Sequence, residues 1–429
     1  MKRRDFLKYS AGIAAFPVIV PRSALRAQNN TPAPSDRITL GFIGVGVQGS
    51  GLLYGFLNDE TARVLAVCDV DAKKKERAQR AVNESYAGKG GSASTTCRVY
   101  KDFRELLAQP DIDAVVIATP DHWHAITSIQ AAKIGKDIYC EKPMSLTIGE
   151  ARAMVNTVRR YQRIFQTGSM QRSSYEFRFA CELVRNGYLG EIERIEIGIQ
   201  CGFGTFPEEC TLPAETVPEE LDWNMWLGQA PYRPYNSDIA PPISFRGYPN
   251  WRRYRDYSCA CMGDWGAHHF DIAQWALGMD HSGPVEIIPP VLAETGHLTY
   301  KYANGVPMIT DFDSNGVRIF GSEGKLEVNR GYLRTWPDSL VNQAIKPDGI
   351  HLYVSNDHKS DWLNAIRNRS LPICDVEIGA RSASVSHLGI IAHDLGRTVK
   401  WNPESELFLN DDEANRLISR SMRSPWSLV

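Results

Sequence analysis

"RITLGFIGVGVQGSGLLYGFL" (residues 37–57) identifies the architecture. Ile38 to Ile43 reads as a buried strand, Gly44, Gly46 and Gly49 supply G-x-G-x-x-G, and the apolar residues beyond suit a helix. The three glycines serve different ends: a tight turn, room for a pyrophosphate to approach the backbone, and close packing of helix on strand. The helix N-terminus then offers N–H groups to the anion. The motif alone is weak, but a second strand, "ARVLAVCDVD" (62–71), follows it, and Asp69 lies at the spacing from Gly49 that a ribose-binding carboxylate needs. Such a carboxylate accepts hydrogen bonds from ribose hydroxyls and repels a 2′-phosphate, which favours NAD. Lys73, Lys74 and Lys75 read either as a solvated helix start or as a phosphate clamp, so NADP stays open.

Beyond this unit, helix and strand alternate. "KKKERAQRAVNES" is a polar helix, "DFRELLAQ" a helix capped by Asp102, "DAVVIATP" a buried fourth strand, "HAITSIQAAKIG" an amphipathic helix and "DIYC" the next strand. A long helix begins at Thr147. The alternation predicts a parallel sheet covered on both faces, with ligands beyond the carboxyl ends of its strands. Asp69, Thr119 with Pro120, and Glu141-Lys142-Pro143 all fall at those ends, so Lys142 is expected at the cofactor. Past residue 168 the pattern changes to runs such as "RIEIGIQ" and "GKLEVN", which fit an α+β domain on a mostly antiparallel, open sheet.

The 429 residues fit two domains, and 43% hydrophobic with 23% charged residues describe a soluble globular chain. A formal charge of −2 gives no footprint for nucleic acid or an anionic membrane, so a small-molecule partner is expected. Arg3 and Arg4 with Phe6, Leu7 and Lys8, a short apolar run from Ala11 to Val20, and Ala27 as a cleavage point resemble a twin-arginine export signal. Residues 1–35 are thus read as signal and linker, 36–168 as a Rossmann domain and 169–429 as the substrate and oligomerisation domain, with a periplasmic location. The nine cysteines cannot all pair and show no metal-like grouping. Cargo of this export route generally folds first, so no disulfide is expected to be essential.

"GFIGVGVQG", "VCDVD", "VVIATPDHWH" and "AAKIGKDIYCEKPMSLTIGEA" resemble the Gfo/Idh/MocA family of nicotinamide-dependent sugar oxidoreductases, over nearly all of the chain after the signal. The resemblance implies that Lys142 lies at nicotinamide and substrate, that Asp264 and His268 of "DWGAH" stand beside it, and that His124 is on the cofactor side. It also implies a homo-oligomer built through the open sheet face. The loop Cys259-Ala260-Cys261 departs from relatives, which commonly carry glycines there.

Hydride transfer from a carbinol carbon requires a group that takes the hydroxyl proton. His268 is the natural base, Lys142 can stabilise charge on the same oxygen and Asp264 can orient it; lysine as the base is the alternative. Arg172, Trp251, Arg252, Tyr254 and Trp265 are candidates to line a sugar site, or else packing residues. His122 and His124 lack further ligands for a metal, and none is expected. Two other functions compete: redox-assisted glycoside hydrolysis, and a nonenzymatic sugar sensor.

Overall fold

The computed structural model describes residues 36–88 and 96–428, so the signal-like segment and linker, residues 1–35, lie outside the described residues. Six strands, β1 (Ile38–Ile43), β2 (Ala62–Cys68), β3 (Arg98–Tyr100), β4 (Ala114–Ile117), β5 (Asp137–Cys140) and β6 (Phe165–Thr167), form the first sheet. Their order is β3-β2-β1-β4-β5-β6, and every pairing is parallel. The strand order reverses between β1 and β4, which opens a crevice at their carboxyl ends.

The strands read as apolar runs because both faces are buried. On one face Leu40, Phe42, Val64 and Val116 pack against helices α1 (Val47–Leu57) and α2 (Ala72–Gly88). On the other, Ile43, Val115 and Ile138 meet α3 (Phe103–Leu107), α4 (His124–Lys133) and α5 (Ile148–Arg160). Thr147 caps α5 by accepting from the Glu150 N–H, while the Glu150 carboxylate accepts from the Leu146 N–H at 2.7 Å, a reciprocal lock on the helix that follows Lys142.

The second sheet has nine strands: β7 (Ile192–Ile199), β8 (Glu286–Ile288), β9 (Thr299–Lys301), β10 (Pro307–Asp311), β11 (Asn315–Gly321), β12 (Gly324–Asn329), β13 (Tyr332–Trp336), β14 (Val399–Asn402) and β15 (Leu407–Phe408). Its order is β13-β12-β11-β7-β10-β9-β8-β14-β15, antiparallel except where β7 meets β10. The expected α/β class, a parallel sheet followed by a mostly antiparallel one, is therefore found. Helices α6 (Tyr175–Arg185), α9 (Trp265–Leu277) and α11 (Val376–Leu395) cover one face, with Phe177, Phe270 and Leu388 packed on Ile197, Met308 and Ile319. The other face carries ion pairs such as Arg194–Glu196. One late helix, α10 (His358–Asn368), returns to the first sheet, where Trp362 packs edge-on against Phe56 and Tyr139.

Between β7 and α8 (Ala260–Gly263) runs a long aromatic segment whose one α-helix is α7 (Trp223–Leu227). It has a small core of its own, built from Trp223, Trp226, Tyr235, Trp251, Tyr254 and Tyr257. The segment is pinned over the carboxyl ends of the first sheet: Ala72 N–H donates to the Glu220 carbonyl, Asp222 N–H to Val70, and the Trp123 indole N–H to Trp226. It thus forms a cap on the crevice.

Candidate active site

Under this cap lies a cavity of about 400 Å³ that runs from the glycine loop to the start of α9. At the glycine end, Gly44 has φ +84°, and a Cβ there would come within 2.7 Å of the Ala118 backbone. A Cβ on Gly49 would come within 2.1 Å of the Gly44 carbonyl oxygen, so Gly49 serves the packing of α1 and does not line the cavity. Gly46 faces open space beside the first N–H groups of α1. That arrangement fits a pyrophosphate at a helix N-terminus. The Asp69 carboxylate accepts from the Val45 and Asp71 N–H groups at 2.9 and 3.0 Å, which ties the end of β2 to the glycine loop. Lysines at this end have partners: Lys73 pairs with Glu220, Lys74 with Asp71 and Lys101 with Asp222.

Thr119, Pro120, His124 and Glu141 also line the cavity. The His124 Nδ1 and Nε2 contact the Pro143 and Thr119 carbonyls at 2.7 and 3.0 Å, and burial pushes its pKa down to about 4. A neutral ring donates to one of these oxygens and steadies the loop that carries Lys142. Glu141 accepts from the Gln48 amide at 2.9 Å, and a Cβ on Gly168 would strike its carboxylate at 2.8 Å. A side chain at 168 would therefore have to displace the Glu141 carboxylate.

Lys142, Asp264 and His268 line the far end together. The Lys142 ammonium pairs with the Asp264 carboxylate and donates to the Asp264 main-chain oxygen at 3.1 Å. Asp264 is the N-cap of α9 rather than its first turn, so it and His268 meet at the cavity without sharing a helix face. Burial opposes the Asp264 charge, but Lys142, Arg252 and Arg330 outweigh it and hold the carboxyl below its usual range. Burial, reinforced by Lys142 and Arg330, pushes His268 well below the ordinary imidazole range. A carboxylate-bound ammonium beside a neutral imidazole separates a hydrogen-bond donor from a proton acceptor.

Trp251, Arg252 and Trp265 also line the cavity. Arg172 and Tyr254 do not, so of the two readings open for them, sugar contact or packing, the structure places both in packing. Arg172 is fully buried between Asp271 and Asp280, donating to them at 2.8 and 2.7 Å, and Tyr254 belongs to the core of the cap. His269 contacts the Gly198 carbonyl at 2.6 Å and ties α9 to β7. His122 sits against the Trp226 carbonyl at 3.0 Å inside the cap contact. Among the described residues no group of His, Cys, Asp or Glu could hold a metal ion, and no helix is long and apolar enough to cross a membrane.

Sequence reasoning missed several cavity residues: Gln48, Asp121, Trp226, Tyr248 and Arg330. Asp121 was within reach, since it heads the "DHWH" run that follows β4. Burial, opposed by Arg252, raises its pKa to about 7, and it accepts from the Ser258 hydroxyl at 2.9 Å. A disulfide joins Cys201, on the cavity wall, to Cys261, with Cα atoms 6.0 Å apart. In the departing loop Ala260 takes φ +51°, a conformation that favours glycine.

Known proteins align with this architecture. Residues 38–169 match "Oxidoreductase family, NAD-binding Rossmann fold", and residues 176–428 match "Oxidoreductase family, C-terminal alpha/beta domain". A curated relative, glycosyl hydrolase family 109 protein 2 of Shewanella sp. (strain ANA-3), is 34% identical over 44% of each chain. The chain therefore spans less than half the length of that relative. The WlbA dehydrogenase of Bordetella pertussis, solved with NADH and UDP-GlcNAcA, has the same fold with TM-score 0.59 at 16% identity, covering 86% of this chain and 99% of its own. The aldose-aldose oxidoreductase of Caulobacter crescentus superposes with TM-score 0.55 at 18% identity, over 85% and 99%. With both of its domains matched, the chain belongs to the Gfo/Idh/MocA oxidoreductase family and carries that family's NAD-binding Rossmann domain.

Proposed function

We propose that the protein oxidises a secondary hydroxyl of a sugar, glycoside or polyol, with NAD held under the cap. The observation that carries this reading is the meeting of Lys142, Asp264 and His268 at one end of a cavity whose other end is the glycine loop. Bound nicotinamide would supply the hydride acceptor, and Gly44, Gly46, the N-terminus of α1 and Asp69 would hold the dinucleotide. His268, kept neutral, takes the hydroxyl proton. Lys142 donates a hydrogen bond to the same oxygen and stabilises its developing charge. Asp264 fixes the ammonium as that donor, and the neutral histidine is the group left to accept the proton.

The cap supports tight retention of the cofactor. Contacts from Glu220, Asp222, Trp226 and Pro241 hold the cap against the first domain over the dinucleotide end of the cavity. Slow release suits an exported enzyme loaded before transport, and the reading includes export by the twin-arginine segment to the periplasm. It also includes a homo-oligomer formed through the outer face of the nine-stranded sheet. Engagement of Lys73 and Lys74 by carboxylates favours NAD over NADP.

The curated relatives named as family 109 glycosyl hydrolases favour one second reading, in which oxidation is transient and a glycosidic substituent is released. Product analysis separates the two. Cofactor-loaded protein is incubated with sugars and glycosides, and products are identified by mass spectrometry. An accumulated keto-sugar with reduced nicotinamide means oxidation, a released aglycone without net reduction means hydrolysis, and neither across the panel removes both.

A further inference from the structure

The two arginines of the cavity, Arg252 and Arg330, differ from its lysines. Lys74, Lys101 and Lys142 each have a carboxylate partner. Neither guanidinium makes a hydrogen bond or ion pair to a carboxylate among the described residues. Each is held by aromatic faces instead. Arg252 lies over Tyr248 and Trp251, 4.5 Å from each ring centroid, and Arg330 lies over Trp265 at 4.7 Å. Stacking fixes the plane of a guanidinium and leaves its N–H edge free for a bidentate acceptor.

Arg330 lies on Trp265, the residue next to Asp264, and both guanidiniums line the cavity with Asp264, Lys142 and His268 and favour the Asp264 charge. Charge there is unbalanced. Lys142, Arg252 and Arg330 share the cavity with Asp264, whose carboxyl they hold below its usual range, while burial raises Glu141 and brings Asp121 to about 7. A neutral sugar would leave two oriented forks and the excess charge uncompensated. A carboxylate or sulfate oxygen pair matches both.

Resting on the oxidoreductase reading of this cavity, we propose that the substrate is a sugar bearing an oxyanion substituent, a uronate carboxylate or a sulfate ester, clamped between Arg252 from the cap and Arg330 from the β12–β13 turn. The two arginines come from different parts of the chain, so the clamp also draws the cap toward the second sheet. Specificity follows from planar bidentate acceptance rather than from hydroxyl stereochemistry alone.

Calorimetry on the protein as purified, with its bound cofactor quantified, tests the clamp without relying on turnover. The probes are methyl glycosides of glucuronic, galacturonic and mannuronic acid, 6-sulfated methyl hexosides, and the neutral methyl hexosides. We expect at least one anionic glycoside to bind about tenfold or more tighter than its neutral counterpart, the scale of one charge-assisted bidentate contact. Preference for the carboxylates or for the sulfates identifies the anion. In Arg330→Met and Arg252→Met, with unchanged melting and cofactor content, the preference should shrink to within about threefold, neutral binding being little altered. Equal binding of charged and neutral glycosides, no binding of any anionic probe, or a preference that survives both substitutions would overturn the proposal. Loss of NAD from the arginine variants would overturn it too, by assigning the guanidiniums to the cofactor phosphates. Failure of the oxidoreductase reading looks different: an anionic glycoside that binds through the arginines but is neither oxidised nor cleaved.

Discussion

Lys142 is gripped at two points by Asp264, a carboxylate oxygen and a main-chain oxygen, so its ammonium points in a fixed direction across the cavity. If it stabilises the oxygen from which His268 takes a proton, Lys142→Ala and His268→Ala should each lower turnover by roughly 10²–10⁴-fold while NAD is retained. Turnover like the wild type in either variant would remove that residue from the chemistry. Arg172 predicts the opposite pattern. Arg172→Met leaves Asp271 buried without its cation and should cost about 3–5 kcal/mol of stability, read by denaturant unfolding, because the partner charge stays behind. A variant of unchanged stability would contradict the buried pair. These two basic residues show what single residues reveal in sequence. Lys142 was legible because its motif is local and follows a strand. Arg172 was misread because its partners lie about a hundred positions away, and Arg330 went unseen because nothing in a short hairpin turn says which cavity the turn overhangs.

Among the elements, the short helix α8 and its N-terminal neighbours aim Asp264 into the cavity, and they do so with Ala260 in the left-handed region at φ +51°. A side chain there costs about 1–2 kcal/mol relative to ordinary backbone, partly offset by the greater freedom of glycine in the unfolded chain. Ala260→Gly should therefore raise stability by about 1 kcal/mol, seen as a higher melting temperature. A lower melting temperature would mean that the alanine methyl contributes packing that outweighs the strain. Parallel strands and their helices were legible because each strand is buried on both faces and reads as an apolar run bounded by turn residues. The cap was not. Its aromatics follow neither helical nor strand periodicity, since they build a core from loops, and only the contacts of Glu220, Asp222 and Trp226 with the first domain reveal what it covers.

Across the fold as a unit, burial depresses a set of histidines. His122 and His387 are pushed down to about 3, His124, His269 and His358 to about 4, and His268 well below its usual range. A depressed folded pKa means that the unfolded chain binds the proton first. The stability these groups contribute is present above about pH 6.5 and is lost as pH falls toward 4. Asp121 and Glu150, both raised to about 7, act in the opposite sense over an overlapping window, and Asp69, Glu141, Asp256 and Asp271 are raised as well; only the first two reach the range in which the six rings are lost. The melting temperature should thus fall steadily between pH 7 and pH 5, and a flat or rising profile would contradict neutral burial of these rings. The same closed interior is where a held nicotinamide and the Lys142, Asp264 and His268 cluster would carry out redox chemistry in one cavity. That chemistry is tested on protein purified without added nucleotide, mixed anaerobically with a panel of neutral and anionic sugars and glycosides. Absorbance in the reduced-nicotinamide band is followed and total nicotinamide is counted after denaturation. About one nicotinamide per chain is expected, retained because binding to the native state is tight, together with its reduction by at least one sugar. Folded protein that carries no nicotinamide, or carries it unreduced and cleaves no glycoside across the panel, would refute the redox role of this cavity.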